Sequence, residues 1–285
     1  MINALKWFFN INYDYPAHQI HNEWKWPHIT AVVVYMTIMV TLAVVIGILF
    51  KNKDYKTKNK VIIVSAILID SFELVKIIAA CIGSDDVVRT ILCSLLPLFL
   101  CSIQLVAIPM AAFCKGRMKE ASLDFVLIFG LLGAIAGTIG AAQNYYSYPV
   151  LSFPNIVSGI THSISGFASL YIIISGIVSL KKKNMWITYT ILGGFSVLAY
   201  VMNIVTGLAY EGMIFTEEGK AAGSNYMFLM YHDGTPYSIF YNMVGGNKVI
   251  YPIIVIGVFA LCILIAYSIP MIQEKIKEKR LQKTS

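Results

Sequence analysis

The sequence predicts an all-α polytopic membrane protein, a bundle of seven transmembrane helices with the N-terminus outside and the C-terminus in the cytoplasm. Three observations lead there. Of 285 residues, 58% are apolar and only 13% charged, with a mean hydropathy of +0.71, whereas an average soluble domain carries roughly twice that share of charge. Seven stretches stay apolar over the roughly 20 residues that a helix needs to cross about 30 Å of hydrocarbon. Basic residues collect in alternate connections between those stretches. The +7 net charge is spread over loops and is not gathered into one basic soluble domain. That excludes a nucleic-acid reader, and the composition excludes a disordered chain or a disulfide-rich secreted fold.

Taken in order, residues 1–27 form an external interfacial segment. Trp7, Phe8, Phe9, Trp24 and Trp26 suit a membrane–water boundary, and the segment lacks the charged, apolar and small-residue succession of a cleaved signal peptide. The seven-helix transmembrane domain spans 28–271, with crossings at 28–50, 61–83, 91–114, 122–143, 156–180, 185–210 and 249–271. In the third, Pro97 and Pro109 each remove a backbone donor and are expected to kink the helix. In the fourth, Gly130, Gly133, Gly137 and Gly140 form a small-residue stripe suited to close helix packing. Crossings five and six are joined by a tight hairpin at Lys181-Lys182-Lys183-Asn184. The external loop 211–248, rich in glycine and aromatic residues, is expected to be ordered. A basic cytoplasmic tail, 272–285, closes the chain.

Orientation follows from lysine and arginine, which resist translocation. Connections after the first, third and fifth crossings and the tail carry 5, 3, 3 and 5 basic residues; the N-terminal segment and the other loops carry 2, 1, 0 and 2. The tail suits anionic lipid headgroups. The cysteines Cys81, Cys93, Cys101, Cys114 and Cys262 lie in or beside apolar spans without CxxC spacing, so a disulfide framework is not expected.

Polar groups within hydrocarbon are costly, and their depth therefore carries the functional information. Asp70, Glu73 and Lys76 recur every third residue in the second crossing. At 1.5 Å per residue Glu73 lies about 15 Å and Lys76 about 10 Å below the outer end; Cys101 lies about 15 Å down with Gln104 slightly deeper; His162 and Asn203 lie about 10 Å down. Gln143 and Asn144 add amides at the outer end of the fourth crossing. These groups share one layer and predict a polar cavity in the outer half of the bilayer. His28, which opens the first crossing, belongs at the cavity mouth or the interface.

A thiol near a base becomes a nucleophile, and an imidazole can take its proton and return it to a leaving group. Cys101 and His162 match in depth to within a helical turn, with Glu73 a candidate to orient the imidazole and Gln104 or Asn203 a candidate donor to an oxyanion. Alternatively, Glu73, Lys76, Asn203 and His162 would bind a small polar molecule for transport, Asp70, Glu73 and Lys76 would be a structural ion-pair network, and Cys101 a small apolar filler. No HxxxH or HExxH spacing points to a metal, and no cofactor is expected.

The segments LPLFLCSIQLVAIPMAAF around Cys101, YPVLSFPNIVSGITHS around His162 and SNYMFLMYHDGTPYS in the last external loop resemble the bacterial YwaF-type integral membrane protein family over nearly the whole chain. That family is in turn similar to a eukaryotic transmembrane acyltransferase of ether-phospholipid remodelling that works through a cysteine and a histidine. The resemblance implies a multi-pass protein of the bacterial cell membrane acting on phospholipids as acyltransferase or acyl hydrolase. It makes Cys101 the acyl-accepting nucleophile and His162 its base, places Asn225 and Tyr226 in a family loop element, and adds weight to His28 through the WPHI segment.

Overall fold

A computed structural model of the chain describes residues 2–11, 13, 15–20, 24–140, 145, 147–177, 180–210, 223–232 and 235–284, with backbone alone at 274, 275 and 277–284. Gln143, Asn144, Tyr146, His21 and most of the first half of loop 211–248 lie outside the described residues. Among the described residues the fold is wholly helical: α1 (Ile2–Phe9), α2 (Trp26–Phe50), α3 (Tyr55–Ile82), α4 (Val87–Thr90), α5 (Gln104–Phe113), α6 (Gly116–Ile139), α7 (Phe153–Ser175), α8 (Met185–Tyr210), α9 (Ser238–Met243) and α10 (Ile250–Thr284).

Among the described residues five stretches are helical, long and apolar enough to cross a membrane: Trp26–Phe50, Gly116–Ile139, Phe153–Ser175, Lys182–Tyr210 and Ile250–Gln273. α3, at 28 residues, is also long enough, but Asp70, Glu73 and Lys76 interrupt its apolar run. The stretch expected as a third continuous helix is broken. α4 runs into a π-helical turn at Ile91–Leu95, the chain leaves helical geometry at Leu96, and α5 begins only at Gln104. Pro97 accounts for this: it cannot donate the next helical bond and forces Leu96 into an extended conformation (φ −66°, ψ 140°). Pro109, by contrast, is carried inside α5. α10 continues through the basic tail as one helix to Thr284.

Pairwise contacts give the directions of the helices. Tyr35, Met39 and Gly47 on α2 meet Gly159, Gly166 and Ile174 on α7 in the same order, so these two run parallel. Gly137, Gly133 and Gly130 on α6 face His162, Cys101 and Ser165, while Ser169 Oγ donates to Leu127 O at 2.7 Å, so α6 is antiparallel to α7. Tyr171 on α7 donates to Lys58 O at the start of α3, Asn59 Nδ2 donates to Ala112 O at the end of α5, and Thr188 and Tyr200 on α8 reach Tyr267 and Lys248. One end of the bundle thereby collects the basic connections 51–60, 114–119 and 181–183. Asp54 caps α3 there by accepting from the Thr57 N–H at 3.1 Å, and the Thr57 hydroxyl together with that N–H holds its carboxyl below the usual carboxylate range. At the opposite end Phe8 and Phe9 of α1 pack on Phe153.

Side chains of α2 such as Val33, Ile38, Leu42, Val45, Ile48 and Leu49 are exposed, the surface expected against lipid. The core lies between α6, α7 and α5, where Phe125, Phe129, Ile108, Ala111, Tyr171 and Ile172 are fully buried. Gly130 shows how tight that contact is, since a Cβ there would stand 2.7 Å from Ser165 O and 3.0 Å from Ser169 Cβ. Gly130→Ala is therefore expected to cost about 1–3 kcal/mol. Gly194→Ala, in the α8 interior with nothing within 4 Å of the added carbon, is expected to gain about 0.5–1 kcal/mol. Thermal unfolding in detergent should move in opposite directions for the two.

Candidate functional site

Cys101 stands in the break, three residues before α5, where Ile103 N donates to Phe99 O at 2.8 Å and Gln104 N to Cys101 O at 3.3 Å to close the turns. The thiol is thus presented just before the N-terminal end of α5. His162 projects from the middle of α7. Its Nδ1 lies 2.6 Å from Ser158 O, one turn earlier. A carbonyl oxygen can only accept, so Nδ1 carries the proton and Nε2 keeps its lone pair. Cys101 and His162 both stand against α6, at Gly133 and Gly137 one turn apart, close enough for their side chains to act on each other, and Ser102 Oγ lies 3.9 Å from the Cys101 sulfur. Both residues are partly, not fully, buried.

The glycine stripe of α6 makes this meeting possible. A Cβ at Gly133 would lie 3.2 Å from Cys101 Cα, and a Cβ at Gly137 would lie 1.8 Å from His162 Nε2, on top of the atom itself. The sequence reading assigned these glycines to helix packing; they also form the wall of the thiol–imidazole site. Spacing alone gave no signal for that, because the partners come from two other helices.

The other expected site residues divide. Glu73 is buried and its carboxylate lies 2.6 Å from Lys76 Nζ; the imidazole takes its orientation from Ser158 instead. Lys76 is close enough for its charge to act on His162. Asp70 is exposed on α3 and does not join the layer. Gln104 is fully buried with both amide atoms lacking a hydrogen-bond partner, one turn beyond Cys101.

Asn203 is committed to the backbone of the last loop. Its Nδ2 donates to Tyr226 O at 3.0 Å, and its Oδ1 accepts from Tyr226 N at 2.7 Å and from Ser224 Oγ at 3.0 Å. Tyr226, fully buried, donates from its hydroxyl to Leu92 O at 2.9 Å and accepts from Leu96 N at 3.3 Å. Those are the backbone groups released at the break. Asn225 holds the loop closed through Tyr231 O, Met230 N and Tyr231 N while Met227 and Phe228 take left-handed backbone angles (φ 55° and 56°). The loop element is a plug that secures the segment carrying Cys101.

His28 is buried and bonded at both nitrogens. Nδ1 accepts from Trp24 N at 2.9 Å, so Nε2 holds the proton and donates to Thr138 O at 3.0 Å. Its ring packs on Tyr145 with centroids 4.2 Å apart. His28 ties the start of α2 to the residue after Gly137. Among the described residues no three His, Cys, Asp or Glu side chains could hold a metal ion.

The model of the TMEM164 family, a transmembrane protein family, matches residues 24–269 of this sequence. The chain belongs to the TMEM164 family. The match runs from just before α2 to the last turns of α10 preceding the tail, and so takes in the break, the glycine stripe, His162 and the plug. Neither the curated proteins nor the solved structures contain a match to the chain. Membership and the apolar helices together make it a multi-pass membrane protein.

Two outcomes test the geometry. Alkylation of Cys101 by iodoacetamide, followed by peptide mass spectrometry to separate it from the other cysteines, should slow about tenfold or more in Gly137→Ala and His162→Ala and stay unchanged in Asp70→Asn. Asn203→Ala should lower thermal stability by about 1–3 kcal/mol for each loop group left unpaired.

Proposed function

We propose that this protein is a cysteine- and histidine-dependent lipid acyltransferase or acyl hydrolase. The observation that carries the reading is the placement of Cys101 and His162 side by side against the α6 glycines, with Nδ1 pinned to Ser158 O, the polarity a base needs to accept a thiol proton at Nε2. On this reading the Cys101 proton passes to Nε2 as sulfur attacks the ester carbonyl of a phospholipid. The tetrahedral oxyanion collapses, the ester C–O bond breaks, and the lysolipid hydroxylate leaves with the proton from the imidazolium. An incoming hydroxyl, on a second lipid or water, then gives its proton to Nε2, attacks the thioester and returns the thiol.

Of the two amides considered for the oxyanion, Gln104 is the better donor, because its amide lacks a hydrogen-bond partner whereas the Asn203 amide is spent on the plug. Lys76, held by Glu73 near His162, adds positive charge beside the developing anion. The topology belonging to this reading counts α3 and the broken α4–α5 segment with the five apolar spans as seven crossings. The basic end faces the cytoplasm of a bacterial cell membrane, as the YwaF-type resemblance implies, and the tail meets anionic headgroups.

The test is incubation of the purified protein with labelled phospholipid, with mass spectrometry for an acyl adduct on Cys101. Turnover is expected to fall by about 10³-fold or more in Cys101→Ala and by about 10²–10⁴-fold in His162→Ala, with the adduct accumulating when acceptor and water attack are slow. Undiminished turnover in both variants would turn the reading to noncovalent binding of a polar molecule.

A further inference from the structure

At the basic end a cleft of about 440 Å³ opens between the start of α3, the first turns of α6 and the connection from α7 to α8. Tyr55, Lys119, Glu120 and Lys181 line it together with Gly116 and Gly176. It lies apart from Cys101 and His162 and takes no part in the proposed acyl chemistry. Both glycines have left-handed backbone (φ +59° and +65°), and neither has an atom within 4 Å of where a Cβ would stand; the wall there is bare backbone. Gly176 ends α7 and Gly116 opens α6, so the cleft exists because two helices terminate at it.

Its electrostatics are one-sided. Glu120 is met by Lys181 Nζ at 3.2 Å and Lys183 Nζ at 3.6 Å and also accepts from Asn184 Nδ2 at 3.1 Å, so its charge is matched twice over. Lys119 Nζ donates to Ala112 O at 2.8 Å and lies 5.8 Å from the centre of the Tyr55 ring. An ammonium has three donors, so Lys119 and Lys181 each keep N–H groups for a ligand. The Arg117 guanidinium donates to Lys183 O, which adds a further cation beside the group. Lys115, the residue before α6, makes no side-chain cap to the first turn of that helix.

We propose that this cleft binds a phosphate-bearing anion through Lys119 and Lys181. Several donors spread over two elements suit an anion with three or more acceptor oxygens better than a carboxylate. The source is either an anionic phospholipid headgroup or a soluble phosphate. Phe113 and Ile173, a few residues from the two glycines, are exposed at 59% and 55% and would lie beside acyl chains, which suits the lipid.

Native mass spectrometry of the full-length protein, in a neutral detergent carrying dioleoylphosphatidylglycerol or dioleoylphosphatidylcholine, reads the binding. Phosphatidylglycerol should be retained over phosphatidylcholine, lose about tenfold in affinity in Lys119→Gln/Lys181→Gln, and be unaffected by Lys6→Gln on exposed α1 at the opposite end. Glu120→Gln frees two lysines and should strengthen retention, a gain that misfolding cannot mimic. In a second arm, inorganic phosphate that raises the melting temperature with the same dependence on Lys119, Lys181 and Glu120, while phosphatidylglycerol is not retained, assigns the site to a soluble phosphate. Binding of neither probe, or binding indifferent to all three substitutions, overturns the proposal.

Discussion

The rest of the site depends on the absence of a side chain at Gly137. α6 and α7 approach closely enough that the imidazole of His162 occupies the space a Cβ would fill, 1.8 Å from Nε2. Four residues earlier, one helical turn, Gly133 admits Cys101 Cα to within 3.2 Å of where its own Cβ would stand. Two groups from separate elements are therefore pressed against one flat strip of backbone. Their mutual contact needs no long side chain to bring it about. Helix packing and site assembly are here a single physical event, and a substitution that disturbs one disturbs the other.

A strip of glycine positions only what is held against it, and a broken helix is a poor thing to hold. Pro97 releases Leu92 O and Leu96 N from helical bonding, and in a membrane such groups need a partner within the protein. The Tyr226 hydroxyl serves both, at 2.9 and 3.3 Å. Tyr226 is in turn fixed through its backbone by Asn203, and its ring packs on Phe99, 5.2 Å away, two residues before Cys101. His28 does the matching work on α6, bonding Thr138 O beside Gly137. Asn203 and His28 thus act as staples on backbone.

That difference marks what the sequence can carry. Hydropathy sets where a helix enters the membrane and so gives depth, which is why spacing alone puts Cys101 and His162 within a turn of each other. Depth says nothing of azimuth. Residues three apart step by 300°, so Asp70, Glu73 and Lys76 are rotated by about 60° at each step and span about 120°. Glu73 faces inward and pairs with Lys76, while Asp70 at the edge of the arc is exposed. Gln104 and Asn203 likewise share a level, and only the fold reveals that one amide is spent and the other is not. Pro97 was legible as a disturbance, but whether a proline kinks a helix or ends it depends on a partner such as Tyr226, more than a hundred residues away.

The same bundle carries a second buried polar set near its basic end, and comparison of the two separates a reactive arrangement from a structural one. Tyr267 OH donates to Asp124 Oδ2 at 2.6 Å, Thr188 bonds Tyr267 at 2.8 Å, and Asn184 links Asp124 to Glu120. Asp124, Thr188 and Tyr267 are fully buried and joined across α6, α8 and α10. No member is a soft nucleophile, and a hydroxyl bonded to a carboxylate stabilises it in place. At the other site a thiol and a lone pair at Nε2 are only partly buried, and the fully buried Gln104 amide one turn on lacks a partner. A fully buried set of carboxylate, hydroxyls and amide holds helices together; a partly open one that offers a nucleophile beside a free acceptor is left with the capacity to bind and change something else.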